Sequence, residues 1–375
     1  MKLHRDNNVL LITDVTGEGG TDTFLIDVAL AGRNEGWNIS ALINDTSGSD
    51  QLGRTLTKSG VPVVRAPLYH GYYDKYQRRK ATLDAINFFK PNIIHVFCGS
   101  PRSAITPREI AIEKGIPLFF TEAFVPEQPH FAPGIHERVH ELYEQATAVT
   151  TVCRDNIRLL SRVYGFPAEK IIYVPSSIKV DPTSLEIDNN TIASGKVIKA
   201  VTAGRFVKQK GIDILIKAIN LLDEQSRSKI NFTIIGAGED EQLLKNMVNN
   251  YGLEGMVSFI NWQQDLSEAL ESFDVFIAPS RHEGGLPFTI LVALAKGLPL
   301  IGSSVSGIKE ALDGGELGEL VEPENVLALS ETIKSFTNNP YPLQKKAKKS
   351  RQFLLDNYDV DKNMKKIIDL WKGAL

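Results

Sequence analysis

Two cations and a carboxylate are the residues whose types and spacing most readily do chemistry. In GRFVKQKG, residues 204–211, an apolar run ends at Gly204, and Arg205 and Lys210 follow in a short loop ahead of a helical pattern. Two fixed cations at the mouth of a cleft suit a diphosphate, because guanidinium and ammonium groups both give charge-assisted hydrogen bonds to phosphate oxygens. A pair of solvated loop cations is the alternative. Further along, APSRHEGGLPFTILVALAKGLPLIGSSVSGIKE, residues 278–310, sets Glu283 just before Gly284, Gly285 and Leu286, with Pro287 opening an apolar helix. Backbone N–H groups at such a helix start receive phosphate. Glu283 itself is suited to accept from sugar hydroxyls, or to cap the helix.

Two glycine turns and one aromatic complete the set. Gly17, Gly19 and Gly20 lie in TGEGGTD, residues 16–22, between a first apolar run and a helical pattern. The run is not GxGxxG and lacks the Lys-Ser/Thr pair of a P-loop; it reads either as a ligand loop or as a plain tight turn. Gly236 and Gly238 form a similar turn in IIGAGE, residues 234–239, where a nucleotide has room to lie. Trp262 follows the next apolar run, either flanking a base or buried in the core.

The elements that must position these residues alternate along the chain. Short apolar runs at 9–12, 39–43, 61–64, 93–97, 118–121, 148–152 and 171–174 are separated mostly by amphipathic stretches. A second series occupies 197–202, 231–235, 257–259, 275–278 and 298–301. Such β/α alternation predicts parallel sheets covered on both faces. The fold class is therefore α/β: two doubly wound, Rossmann-like domains facing across a cleft, where ligands gather at the carboxyl ends of the strands. The expected boundaries are an N-terminal domain at 1–180, a polar linker at 181–195, a C-terminal domain at 196–355 and a helical tail at 356–375 that packs back on the first domain.

Composition fits that architecture. At roughly 150 residues per domain, 375 residues suit two. A formal net charge of −3 gives no reason to expect a nucleic-acid partner. Lys345, Lys346, Lys348, Lys349 and Arg351 crowd one segment, either as a solvated helix face or as a peripheral contact with anionic lipid. Cys98 and Cys153 show no metal-ligand spacing and fit free thiols in a reducing cytoplasm. No apolar run approaches the ~20 residues of a membrane span.

Taken together, GRFVKQKGIDILIKAI, IIGAGEDEQLLK, DVFIAPSRHEGGLP…ALAKGLPLIGSSVSGIKE and LGELVEPEN occur in the order seen in the family 4 (group 1) glycosyltransferases, and the chain resembles that family of the GT-B fold. NIIHVF and AVTTVCRDN extend the resemblance into the first half. It implies transfer of a sugar from a nucleotide-diphosphate sugar to a glycan, lipid-linked or other cell-envelope acceptor, with retention of anomeric configuration and no metal or other cofactor. Arg205 and Lys210 would bind the diphosphate and stabilise the leaving group. Glu283 would contact the transferred sugar, Gly284, Gly285 and Leu286 would offer N–H groups, and Gly17, Gly19 and Gly20 would let the first domain close on the donor.

The sequence departs from the family pattern in three places. A second Glu that contacts the nucleotide ribose is replaced by Leu291 or, aligned on Ala293-Leu294-Ala295, by Val292. A His after the strand near Phe120 is replaced by Ala123, leaving Glu122 and His130 as acceptor-side candidates. The family's Pro-Asn-Gly appears as Pro175-Ser176-Ser177. These changes keep two other readings open: a non-catalytic partner subunit, or a hydrolase or epimerase of sugar nucleotides.

Overall fold

The structure, a computed structural model, describes residues 7–17, 19–126, 134–180, 192, 195–263 and 265–375. His130 and nearly all of the expected linker lie outside the described residues. The chain divides into two compact units, Met1–Ser177 with Val360–Leu375, and Ile178–Asp359.

The first unit is built on strands β1 (Asn8–Thr13), β2 (Asn38–Asn44), β3 (Val63–Ala66), β4 (Ile93–Cys98), β5 (Leu118–Glu122), β6 (Ala148–Thr151) and β7 (Ile171–Tyr173). They form one parallel sheet in the order β3-β2-β1-β4-β5-β6-β7. The near-continuous apolar runs follow from burial on both faces. Along β1, Leu10 and Ile12 enter one core, whereas Val9 and Leu11 enter the core on the opposite face.

The second unit repeats the plan with β8 (Ile198–Ala203), β9 (Ile230–Ile235), β10 (Val257–Ile260), β11 (Val275–Ala278), β12 (Leu300–Ser303) and β13 (Glu319–Val321). Its sheet runs β10-β9-β8-β11-β12-β13, again parallel. The last strand was not expected from sequence. It is three residues long, and its register, Ile301 opposite Glu319 to Ser303 opposite Val321, depends on β12 rather than on a pattern of its own. In both sheets the chain reverses its direction of travel beside the first strand, between β1 and β4 and between β8 and β11. Such switch points open a crevice at the carboxyl ends of the strands.

The return of the tail starts later than residue 356. The helix Ser350–Asn357 still belongs to the second unit, where Arg351 donates through Nε to Ala295 O at 2.9 Å and through Nη2 to Lys296 O at 2.8 Å. These carbonyls end the helix Phe288–Ala295, which a cation there satisfies. Lys346 likewise donates to Gly318 O and pairs with Glu319. Two of the five clustered cations are therefore committed to the fold, and the segment is not a free basic face. The final helix, Val360–Lys372, packs on the helix Gly20–Asn34 in the first unit. Met364, Ile367, Ile368 and Trp371 form its buried stripe. Trp371 meets Trp37 edge-on at 5.5 Å and donates to His95 Nδ1 at 3.2 Å. Ser177, in the altered Pro-Ser-Ser, accepts from Asn363 of this helix at 2.9 Å.

Candidate functional site

The loop after β8 is seated by a crossing of backbones. Phe206 N donates to Ala237 O at 2.8 Å, and Asp240 N to Phe206 O at 3.0 Å. Gly236 and Gly238 have φ of +153° and +159°, and a side chain at either would collide with the Gly204 carbonyl or the Phe206 backbone. The protein's own loop packing thus explains these two glycines without a ligand. Gly211, at φ +64°, begins the helix Ile212–Asn220, and a Cβ there would strike the Pro279 carbonyl. The loop after β8 therefore lies directly against the loop after β11.

Arg281 locks the two loops together. Its backbone N–H donates to Gln209 O at 2.8 Å; its guanidinium meets Asp213 through both nitrogens at 2.7 and 2.8 Å, Lys208 O at 2.8 Å and Glu324 at 2.8 Å. Burial works to raise the Asp213 pKa, but the hydrogen bonds and charges of Arg281 and Lys217 outweigh it and hold the carboxylate at about 2. The paired fork fixes geometry as well as charge.

This strut brings Lys210 and Glu283 together. Lys210 Nζ lies 2.6 Å from Glu283 Oε1, which also accepts from Ser280 Oγ at 2.7 Å. Gln209 Nε2 stands 3.5 Å from the other carboxylate oxygen, and Ser306 Oγ donates to the Glu283 carbonyl at 2.7 Å. The Glu283 side chain is 7% exposed and that of Lys210 20%. Glu283 is thus a pocket carboxylate rather than a helix cap; the following helix starts at Phe288 with Pro287 as its N-cap, one place later than the sequence suggests. Thr202, Gly204, Lys210, Ser280, Glu283 and Thr289 are among the residues lining the cavity.

The other second-unit candidates divide by exposure. Arg205 is exposed, and its side chain has no partner among the described residues. The N–H groups of Gly284, Gly285 and Leu286 also have no acceptor among the described residues, although the Leu286 side chain is in the core. Trp262 is 47% exposed, so it is not a core tryptophan. Leu291 and Val292 are both sealed in the hydrophobic core, so neither offers anything to a ligand.

In the first unit, Gly17, Gly19 and Gly20 follow β1, and a side chain at any of them would meet open space. Packing therefore gives no reason for glycine there. Glu122 is fully buried and is not an accessible acceptor-side group. Tyr143 OH donates to its Oε1 at 3.0 Å, Arg108 Nη1 lies 3.8 Å away, and Oε2 has no hydrogen-bond partner. Burial outweighs Arg108 and lifts the Glu122 pKa to about 7. Ala123, the residue in the expected His position, is partly buried beside it and has no ionisable side chain. Among the described residues there is no cluster of three or more His, Cys, Asp or Glu side chains able to hold a metal ion. No described helix is long and apolar enough to cross a membrane.

Ser280, Gln209, Ser306, Asp213 and Arg281 were missed as site residues. Their only sequence signal was position: all but Ser306, which follows β12, lie in or beside a loop that already held a candidate.

An uncharacterized glycosyltransferase of Haemophilus influenzae is 30% identical over 213 residues, 56% of this chain and 56% of that protein. The amylovoran biosynthesis glycosyltransferase AmsK of Erwinia amylovora is 28% identical over 176 residues, 45% of this chain and 42% of that one. The chain thus matches about half the length of these relatives. The crystal structure of Anabaena HepE in complex with UDP has a TM-score of 0.79 over 98% of this chain and 100% of that one, at 16% identity, a likeness of fold. Residues 185–353 match the family model of the group 1 glycosyl transferases. Residues 185–353 are therefore similar to a group 1 glycosyl transferase domain, and the chain has the two-domain GT-B fold.

Proposed function

We propose that the protein is a retaining glycosyltransferase that moves a sugar from a nucleotide-diphosphate sugar to a glycan or lipid-linked acceptor in cell-envelope polysaccharide synthesis. The observation that carries this reading is the cavity in which Lys210 and Glu283 meet at 2.6 Å, with Arg205 unpartnered nearby. Arg205 and Lys210 would neutralise the charge that develops on the departing diphosphate, and fixed cations need little reorganisation to do so. The unbonded N–H groups of Gly284, Gly285 and Leu286 add donors for the same anion. Glu283 would hold hydroxyls of the transferred sugar. Gly17, Gly19 and Gly20, where a side chain would meet open space, would give a ligand close access to the backbone after β1. The binding of UDP by a protein of the same fold and the polysaccharide role in the name of AmsK support the donor class and the kind of acceptor.

Calorimetry against UDP, GDP and ADP, followed by transfer assays with labelled nucleotide sugars and cell-envelope acceptors, tests the reading. One nucleoside diphosphate should bind and its sugar conjugate should serve as donor. Absence of binding to any of them contradicts the donor site. Binding without turnover points to the non-catalytic subunit, and turnover independent of acceptor to a hydrolase.

A further inference from the structure

Glu283 has two partners of different character on one oxygen. Lys210 Nζ reaches Oε1 at 2.6 Å, and Ser280 Oγ donates to the same atom at 2.7 Å. Lys210 carries its charge on a long rotatable stem, and the remaining protons of its ammonium have no partner among the described residues. Ser280 stands two residues beyond β11, is 4% exposed, and is followed by Arg281, which is fixed by Asp213 and Gln209. One partner of the carboxylate is a cation on a long rotatable stem; the other is neutral and set by the fold.

A diphosphate entering this pocket competes with Glu283 for the Lys210 ammonium. If Lys210 alone held Glu283, each phosphate contact would loosen the carboxylate just when the sugar needs it. We propose that Ser280 is a positioning residue, which keeps Glu283 Oε1 in place while Lys210 turns to the donor phosphates and so leaves Oε2 free for a sugar hydroxyl. Gln209, at 3.5 Å from Oε2, is too distant to occupy that oxygen fully. The Ser306 hydrogen bond to the Glu283 carbonyl fixes the backbone beneath the side chain. This inference rests on the donor-site reading above.

The test compares wild type with Ser280→Ala and Ser280→Thr by calorimetry. The probes are UDP, GDP and ADP with UDP-glucose, GDP-mannose and ADP-glucose, and the variants are measured with the pair that wild type binds. Melting curves verify that each variant is folded. Ser280→Ala is expected to bind the nucleoside diphosphate within about twofold of wild type, yet to bind the sugar nucleotide about tenfold more weakly. Ser280→Thr, which keeps the hydroxyl, is expected to recover most of that loss. A purely structural serine would weaken both ligands together, and that outcome overturns the proposal. So does a Ser280→Ala variant that binds both ligands like wild type. If wild type binds no nucleotide at all, the donor site itself fails and the role of Ser280 falls with it.

Discussion

The two units place ionisable side chains at the same point of the same topology and use them in opposite ways. In the first, the switch point between β1 and β4 holds Asp14, Cys98, Arg108 and Glu122, all essentially inaccessible to solvent. Asp14 accepts from Ala104 N at 2.7 Å, and Arg108 donates to the carbonyls of Pro101 and Ser103, so the loops after β1 and β4 are drawn inward around the charge. In the second, the switch point between β8 and β11 holds Lys210 and Glu283 at the wall of a small cavity, with Lys210 partly accessible and Arg205 exposed. A sealed network serves the scaffold, because its groups can reach nothing but each other. An accessible one retains unsatisfied donors that a ligand can take. Strand topology alone does not separate the two, and neither does leftover hydrogen-bonding capacity, since Arg108 Nε and Nη1 and Glu122 Oε2 are also without hydrogen-bond partners among the described residues; access to solvent does.

The most severe way to break the comparison is to remove the buried cation. Arg108→Ala leaves Glu122 without its cation and the Pro101 and Ser103 carbonyls without their donor. Losing one partner of a buried pair costs about 3–5 kcal/mol. Urea unfolding followed by tryptophan emission reports this directly, since Trp37 and Trp371 are buried in the first unit and Trp262 is exposed in the second. The loss should be greater at pH 8 than at pH 5, where Glu122 becomes neutral. A variant as stable as wild type would mean the network is not structural.

Arg205→Ala is the opposite experiment. Removing an exposed, unpartnered cation should leave the unfolding midpoint within about 0.5 kcal/mol of wild type. Transfer should fall by roughly 100- to 1,000-fold, the usual cost of one charge-stabilising donor. Unaltered turnover would assign Arg205 to the solvated surface after all.

How much of this was legible in sequence follows from the same contrast. Arg205, Lys210 and Glu283 stood between an apolar run and a helical pattern, where solvated cations and a helix cap were equally good readings, and only the ordered family-like motifs set them together. The sheets were readable because runs such as Val9-Leu10-Leu11-Ile12 are apolar on both faces. Glu122 illustrates the limit. It ends a strand in the same way, and nothing local shows that Tyr143 and Arg108, from distant helices, close over it. Trp262 shows the reverse error, an aromatic that size alone would bury yet is exposed. Gly236 and Gly238 read as ligand glycines until the Phe206 backbone was seen to occupy their space.

The pH dependence of stability sharpens the first-unit side further. Burial lifts Asp14 to about 6 and both Asp27 and Glu122 to about 7. A carboxyl whose folded pKa lies above its unfolded value binds more protons when folded. Its stabilisation is complete below about pH 4 and is lost as pH rises through the folded values of 6 to 7. The free energy of unfolding should therefore decline from pH 5 to pH 8, by on the order of 2–3 kcal/mol for each carboxyl held at about 7. Asp27→Asn should flatten part of that slope. A flat profile in wild type would place the first-unit carboxyls in contact with water.

The mildest test concerns the chain end. Burial pushes the His95 pKa down to about 3, so the ring is neutral. Because Nδ1 accepts from Trp371, Nε2 carries the proton and donates to Thr121 Oγ1 at 2.9 Å, and Thr121 in turn shares a 2.7 Å hydrogen bond with Thr150. Trp371→Phe retains most of the packing against Trp37 but strands Nδ1 without a donor, which should cost about 1–2 kcal/mol. The loss should appear in the first-unit unfolding transition and leave nucleoside diphosphate binding unchanged. If donor affinity falls with it, the first unit is not a scaffold apart from the site, and the contrast between sealed and open switch points would need a link that burial alone does not supply.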